Sequence, residues 1–259
     1  MRIAIFIQED YDFTFEVLKK LIPKVKKNHT LTGVFSFPNT LTKYKGIGIY
    51  LAYLKIFGLL VVAKLALRSL LKRFLILCGY IFLKSPFYSF RGMYRYYGLE
   101  ENRLPNPNLS PVIKWVKDNE IDVILLFVGY ILKKDIIKAP RICFLNKHSG
   151  LLPAYRGVFP VFWAMMNHDK IGVTIHKVSE DVDGGEIVLQ KEYDRHDRRS
   201  VYDYYELIFS DTADLIIESL QLVSENKQKL CKHRMSASYF GLPTRKDYSK
   251  FKENGHKFV

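Results

Sequence analysis

The sequence predicts an α/β protein built on a doubly wound, mostly parallel, Rossmann-like sheet. It adds a helical, apolar and basic insertion and a short C-terminal extension. Three observations carry this reading. Short apolar runs at residues 3–7, 31–37, 123–128, 141–145 and 172–178 have the composition of strands buried on both faces. Segments of helical periodicity alternate with them, which favours a parallel sheet. Polar residues able to do chemistry cluster where two of these runs end, the edge at which open α/β sheets bind ligands.

Residues 3–7 form the opening strand. Residues 13–22 follow as a helix with Phe15, Leu18, Leu21 and Ile22 on its apolar side, and Pro23 is expected to stop it. Residues 31–37 make the second strand, ended by Pro38 and Asn39. Residues 111–119 read as a short helix leading into the strand at 123–128, and the runs at 141–145 and 172–178 are the next strands. Residues 201–223 have the pattern of a long amphipathic helix. The expected organisation is a catalytic domain over 1–223, with an insertion at about 46–92, and an extension over 224–259 that is basic and aromatic.

A chain of 259 residues that is 48% hydrophobic and 14% aromatic can bury a sizeable core, which excludes global disorder. Cys78, Cys143 and Cys231 are far apart, with no CxxC pair. That excludes a disulfide framework and zinc-type spacing, and no metal is expected. The N-terminus MRIAIFIQED turns acidic within ten residues, unlike a signal peptide. A reducing, cytoplasmic setting is expected.

The formal charge is +14, and fifteen Lys or Arg residues without one Asp or Glu lie between Val17 and Leu99. Such a field favours anionic partners: nucleotide phosphates, nucleic acid or an acidic membrane face. A solvated basic surface is the plainer reading. Within the insertion the longest uncharged run is residues 74–83. A spanning helix needs about twenty apolar residues, so none is expected. Lys64, Arg68 and Lys72 recur every four residues and would stack on one helical face, with Leu59, Leu60, Val62, Ala63, Ala66, Leu67 and Leu70 around them. The expected end state packs the apolar face within the protein or in a homodimer through 46–92, leaving the cations outside. Peripheral contact with an anionic membrane is the alternative.

The chemistry concentrates between Gly129 and Gln190. Asn146-Lys147-His148 follows directly on an apolar strand, which places Asn146 and His148 at its carboxyl end. Residues 151–157 then supply a loop with Tyr155, Arg156 and Gly157. The strand at 172–178 leads into Ser179-Glu180-Asp181-Val182-Asp183-Gly184-Gly185, where two glycines permit a tight turn holding Asp183 at the rim. An Asn, a His and an Asp on adjacent strand ends can form a general-base site with an oxyanion donor. Taken singly, each has a plainer reading: a packed histidine, or a turn around Asp-Gly-Gly.

Asn146-x-His148, the Leu-Leu-Pro-x-Tyr-Arg-Gly run from Leu151, and Gly172-Val173-Thr174 followed by Asp183-Gly184-Gly185 together resemble the folate-dependent formyltransferase family. That family includes glycinamide ribotide formyltransferase, methionyl-tRNA formyltransferase and the nucleotide-sugar N-formyltransferases. The resemblance is close over about residues 122–190 and looser over the two opening strands. It implies 10-formyltetrahydrofolate as co-substrate and Asn146, His148 and Asp183 as catalytic residues. It also implies that Gly129, Tyr130, Ile131 and Leu132 wall a pterin pocket, whose edge is read by the loop of Glu180, Asp181, Val182 and Asp183. Ser149-Gly150 departs from the family, where Pro-Ser or Gly-Ser commonly follows the histidine.

Among these relatives, glycinamide ribotide enzymes carry a Gly-Ser-rich phosphate loop after the first strand. Here that position reads Gln8-Glu9-Asp10-Tyr11-Asp12, acidic and without glycine, which disfavours an anion there. Methionyl-tRNA formyltransferases continue into a β-barrel for which residues 224–259 are too few, although the basic charge would suit RNA. Hydrolases of formyltetrahydrofolate carry an N-terminal regulatory domain, which is not expected here. The resemblance therefore points to the amine of a nucleotide-linked amino-deoxy sugar, such as a dTDP-linked amino-dideoxyhexose for lipopolysaccharide O-antigen synthesis. Tyr155, Arg156 and Gly157 would meet its diphosphate and base. A non-catalytic binding or membrane-associated scaffold on the same fold is the reading from another class.

Overall fold

The computed structural model describes residues 1–196, 199–231 and 235–259. The chain forms two compact units, Met1–Ile49 with Ala63–Leu145, and Tyr50–Val62 with Asn146–Val259.

In the first unit, β1 (Arg2–Gln8) is followed by α1 (Thr14–Asn28) and β2 (Thr30–Phe37). A small hairpin, β3 (Thr40–Leu41) and β4 (Tyr44–Lys45), precedes α2 (Ile47–Phe57) and α3 (Leu59–Phe82), of which residues 50–62 belong to the second unit. Then come α4 (Phe90–Tyr96), β5 (Glu100–Arg103), α5 (Ser110–Asp118), β6 (Val123–Phe127), α6 (Lys134–Ile137) and β7 (Cys143–His148). The unbroken apolar run of β1 has a direct cause. The strand pairs in parallel with β2 on one side and β6 on the other, and Ile3 to Ile7 are wholly buried. Phe6 packs against the rings of Phe35, Phe37 and Phe144, at centroid distances of 5.2, 5.4 and 5.5 Å.

Two elements of this unit differ from expectation. Helix α1 does not stop at Pro23 but continues to Asn28 with the proline inside it. Val25, beyond the proline, is fully buried, and that burial offsets the lost backbone hydrogen bond. Strand β5 has the sequence Glu-Glu-Asn-Arg, with no apolar run to signal it; it pairs in parallel with β2 at the sheet's end, where polar residues are tolerated.

Helix α3 forms as the periodicity predicts, but no residue of it is buried, so its apolar face is not packed within the chain. Lys64 is exposed as expected, but Lys72 is not. Lys72 turns inward, its Nζ donating to the Asp12 carbonyl at 2.6 Å and lying 4.9 Å from the Phe13 ring centroid. Arg73 stands 4.7 Å over Tyr11. The loop at residues 11–13 thus offers a carbonyl and two aromatic faces to cations, and the leucines are left outside. Among the described residues no helix is long and apolar enough to cross a membrane.

The second unit contains β8 (Arg156–Gly157), α7 (Pro160–Met166), β9 (Ile171–Lys177), β10 (Ile187–Tyr193), α8 (Val201–Ser224), β11 (Tyr239–Phe240) and α9 (Arg245–Glu253). Strand β9 is buried along six of its seven residues, and β10 runs antiparallel to it. Helix α8 starts at a capping box made by Ser200 and Asp203. The tail is ordered into this unit. Strand β11 pairs in parallel with β8, Phe251 of α9 stacks on Phe162 at 4.4 Å, and Phe258 lies 4.0 Å from Phe57. The central sheet has seven strands in the order β10-β9-β7-β6-β1-β2-β5, mostly parallel, with flanking helices.

Candidate active site

Strand β7 extends three residues further than the apolar run, so Asn146 and His148 are its last inward positions rather than the start of a loop. Being two apart, they share one face. Lys147 between them points the other way, its Nζ donating to Ser149 Oγ at 2.9 Å and lying 3.5 Å from the Phe209 ring centroid. Asp183 sits in the turn after β9 with φ of 49°, a left-handed conformation. Gly185 supports that turn, because a Cβ there would lie 1.8 Å from the Lys177 carbonyl oxygen.

These three side chains converge within the second unit. His148 is 6% exposed, and its Nε2 lies 2.8 Å from the Tyr155 carbonyl oxygen. A carbonyl only accepts, so Nε2 carries the proton and Nδ1 keeps its lone pair. That Nδ1 faces Asp183 Oδ2 at 3.5 Å. Burial lowers the His148 pKa, opposed by the Asp183 charge and the Tyr155 carbonyl. The side chain is therefore a neutral base at neutral pH.

A fourth residue, His176 on β9, belongs to the same cluster. Its Nε2 lies 3.1 Å from Asn146 Nδ2 and 3.7 Å from Asp183 Oδ1, while Nδ1 donates to the Lys177 carbonyl at 3.0 Å. With Nδ1 protonated, Nε2 accepts from the Asn146 amide and fixes which way that amide points. Burial, first, and the neighbouring His148 hold His176 well below the ordinary histidine range. The residue was missed in sequence because it sits inside an apolar strand run, where a lone histidine reads as core. The signal available was its alternation with Thr174 on β9.

The loop at residues 150–157 is held by Thr174. Its hydroxyl accepts from the Leu152 amide at 3.1 Å and donates to the Gly150 carbonyl at 2.7 Å, while Gln190 donates to the Leu152 carbonyl at 2.7 Å. This lock places the Tyr155 carbonyl against His148. The Tyr155 ring is not open to a ligand: it is buried, stacked on Phe240 at 5.4 Å, and its hydroxyl donates to Asp169. The expected substrate contact through that ring is thereby corrected. Gly157 likewise has an internal task, since its N–H donates to Asp183 Oδ2 at 2.8 Å. Arg156 differs from both, for its Nε is buried without a hydrogen-bond partner. Glu180, Asp181 and Val182 are exposed in the turn before Asp183.

The segment from Gly129 to Leu132 lies in the first unit, just beyond β6. Gln8 accepts from the Gly129 N–H at 2.6 Å, and the Tyr130 hydroxyl donates to the Pro38 carbonyl at 3.0 Å. Asn108 clamps the next turn, donating to the Ile131 carbonyl at 3.0 Å and accepting from Lys133 N–H at 2.7 Å. Ile131 is 73% exposed, whereas Leu132 is core. At the carboxyl ends of β1 and β2 the same unit has a cavity of about 480 Å³, lined by Glu9, Ser36, Asn39 and Arg103 among others. Arg103 pairs with Glu9 at 3.0 Å, and Lys72 is among the groups bearing on the Asp10 carboxyl. Of the acids expected at residues 8–12, Glu9 is thus paired with a cation from a distant segment, whereas Lys72 offsets the Asp10 charge only in part. Among the described residues, no group of three or more His, Cys, Asp or Glu could hold a metal ion.

Residues 97–220 match the formyl transferase family. In sequence the chain is 30% identical to the methionyl-tRNA formyltransferase of Fusobacterium nucleatum over 140 residues, covering 53% of this chain and 45% of that protein. It is 40% identical to that of Thermodesulfovibrio yellowstonii over 98 residues, covering 38% and 32%. The chain spans about half the length, or less, of these curated relatives. In structure it is similar to a sugar N-formyltransferase from a Shewanella species, with a TM-score of 0.57 and 18% identity over 98% of this chain and 87% of that one. An N-formyltransferase of Helicobacter canadensis, solved with folinic acid and dTDP-3-aminofucose, gives 0.56 and 17% over 95% and 72%. A glycinamide ribonucleotide transformylase of Symbiobacterium toebii gives 0.58 and 16% over 87% and 88%. These likenesses show the formyltransferase fold.

Proposed function

We propose that this chain, which carries a formyl transferase domain over residues 97–220, moves the formyl group of 10-formyltetrahydrofolate to the amine of a nucleotide-linked amino-deoxy sugar. The observation that carries the reading is the facing of His148 Nδ1 and Asp183 Oδ2 at 3.5 Å, with the Asn146 amide held in the same cluster by His176. The exposed Glu180 and Asp181 would read the amide-like edge of a pterin. When bound, the folate supplies an activated formyl carbon.

The residues then divide the work. His148 Nδ1 accepts the proton released as the substrate amine attacks, Asp183 stabilises the imidazolium so formed, and that proton would pass to the folate nitrogen as its bond to the formyl carbon breaks. Asn146 uses the amide N–H not engaged by His176 to donate where negative charge develops on the acyl oxygen. His176 and the Gly157 amide are positioning groups for Asn146 and Asp183. Buried, unpartnered Arg156 Nε supports a diphosphate contact near this site.

The sugar reading draws on the fold likeness to sugar N-formyltransferases across nearly the whole chain. We favour a dTDP-linked amino-dideoxyhexose destined for surface polysaccharide such as O-antigen. The free cysteines fit a cytoplasmic setting. Methionyl-tRNA is the second substrate to test, because the curated relatives carry that name. The experiment is an assay of tetrahydrofolate release with a panel of nucleotide-linked amino sugars, and with charged initiator tRNA as the competing arm.

A further inference from the structure

Helix α3 has a continuous outer stripe of large apolar side chains that nothing in the chain covers. Leu67, Leu70, Leu71, Phe74, Leu75 and Ile81 are each more than half exposed, at 54 to 68%. Six such side chains on one helix are more than scattered surface hydrophobics, and a patch of this kind marks an interaction surface. Its occupant has to match the charge around it. At about 100° per residue, Lys64 falls about 60° from the centre of the stripe, between Leu71 and Leu75, and Arg73 about 120° away on the other side, where it stands over Tyr11. Both are exposed. No acid lies on α3 or anywhere between Val17 and Leu99, a span that holds fifteen cations.

We propose that this face of α3 lies in the headgroup region of an anionic membrane, with Lys64 at the edge of the buried stripe reaching lipid phosphates. An interfacial helix has this form: an apolar stripe bordered by cations whose stems run along the acyl boundary while their charges stay with the headgroups. A second copy is a poorer match. A two-fold contact would set one acid-free, cation-rich surface against its duplicate, whereas an anionic bilayer neutralises it. The helix lies on the surface rather than crossing it, since none of the described helices is long and apolar enough to span. This inference is independent of the catalytic reading.

The test is flotation of the full chain, purified without detergent, with vesicles of phosphatidylcholine alone or enriched in phosphatidylglycerol. The protein is expected to float with the anionic vesicles, to remain at the bottom with the neutral ones, and to be released by salt. The double variant Leu70→Gln, Phe74→Gln removes no buried contact, so its circular dichroism should be unchanged while the floated fraction falls at least about tenfold. Lys64→Glu should weaken flotation without altering the apolar stripe. Wild-type protein that fails to float overturns the proposal, as does equal flotation on neutral vesicles. A dimer by light scattering that the double variant converts to monomer, without flotation of either, would assign the stripe to a second copy instead.

Discussion

His148 Nδ1 and Asp183 Oδ2 face each other at 3.5 Å, too far for a hydrogen bond, because both present lone pairs while Nε2 holds the ring's only proton against Tyr155. The gap has a functional sense. On the proposed mechanism, a proton arriving at Nδ1 would convert two repelling lone pairs into a charge-assisted hydrogen bond, so the site would gain stabilisation only once the amine has been deprotonated.

Removing either partner should therefore act on turnover rather than on the fold. His148→Gln and Asp183→Asn are each expected to lower kcat about a hundred- to ten-thousandfold, with unfolding midpoints near that of the wild type. Asn146→Ala should cost about a hundred- to a thousandfold. Steady-state kinetics beside thermal melts check this, and a His148→Gln enzyme keeping most of its turnover would remove the base.

The pH profile gives a second check. Burial lowers the His148 pKa, so the neutral ring persists below the ordinary histidine value of about 6.5. The acidic limb of kcat/KM should fall below that pH. The Asp183 charge raises this pKa, so residual activity of Asp183→Asn should show an acidic limb displaced further down. The same linkage makes neutral His148 favour the folded state above about pH 6.5, a contribution lost as pH falls through its lowered folded pKa.

Gly157 tests the positioning of Asp183. Its φ is 97°, and a Cβ would lie 2.2 Å from the Phe240 carbonyl oxygen, so alanine must displace β8 from β11. Gly157→Ala should destabilise by about 1–3 kcal/mol and lower kcat by moving the amide that holds the carboxylate. Calorimetry with parallel kinetics would report both effects, and unchanged kcat in a folded variant would deny the positioning role.

Asp10 offers a test of the first unit that is separate from catalysis. Burial, with Asp12 adding to it and Lys72 opposing, raises its pKa to about 6. The folded state thus binds this proton more tightly than the unfolded chain, so the Asp10 contribution is most favourable at low pH and declines as pH rises from about 4 through 6. At about 1.4 kcal/mol per unit, the ionised carboxyl costs about 3 kcal/mol at neutral pH. Asp10→Asn keeps the acceptor for the Asp12 amide, found at 2.7 Å, and should raise stability at pH 8 while flattening that slope. Denaturant titrations across the range would show it.

How much of this was legible in the sequence follows from what each residue's neighbours are. The strand runs at β1, β6 and β9 were readable because both faces are buried, whereas polar β5 at the sheet's end carried no such mark. Helix α1 ran past Pro23 because tertiary burial of Val25 outweighs a local rule. Asn146, His148 and Asp183 could be named from motif and position, and their convergence is what the fold adds. His176 was hidden by its setting in an apolar strand, and Tyr155 misread because its backbone, not its ring, serves the site. The orientation of α3 depends on the Asp12 carbonyl and the rings of Tyr11 and Phe13, partners some sixty residues away that no local periodicity encodes.

The most direct measurement is single-turnover formyl transfer by the purified protein with 10-formyltetrahydrofolate and dTDP-linked amino-dideoxyhexoses, followed by mass spectrometry of the sugar nucleotide. The account predicts a product heavier by one formyl group, formed in step with tetrahydrofolate and lost in His148→Gln. Formylation of charged initiator tRNA in preference to every nucleotide sugar would contradict the substrate. Absence of transfer to any amine by folded, folate-bound protein would contradict the mechanism.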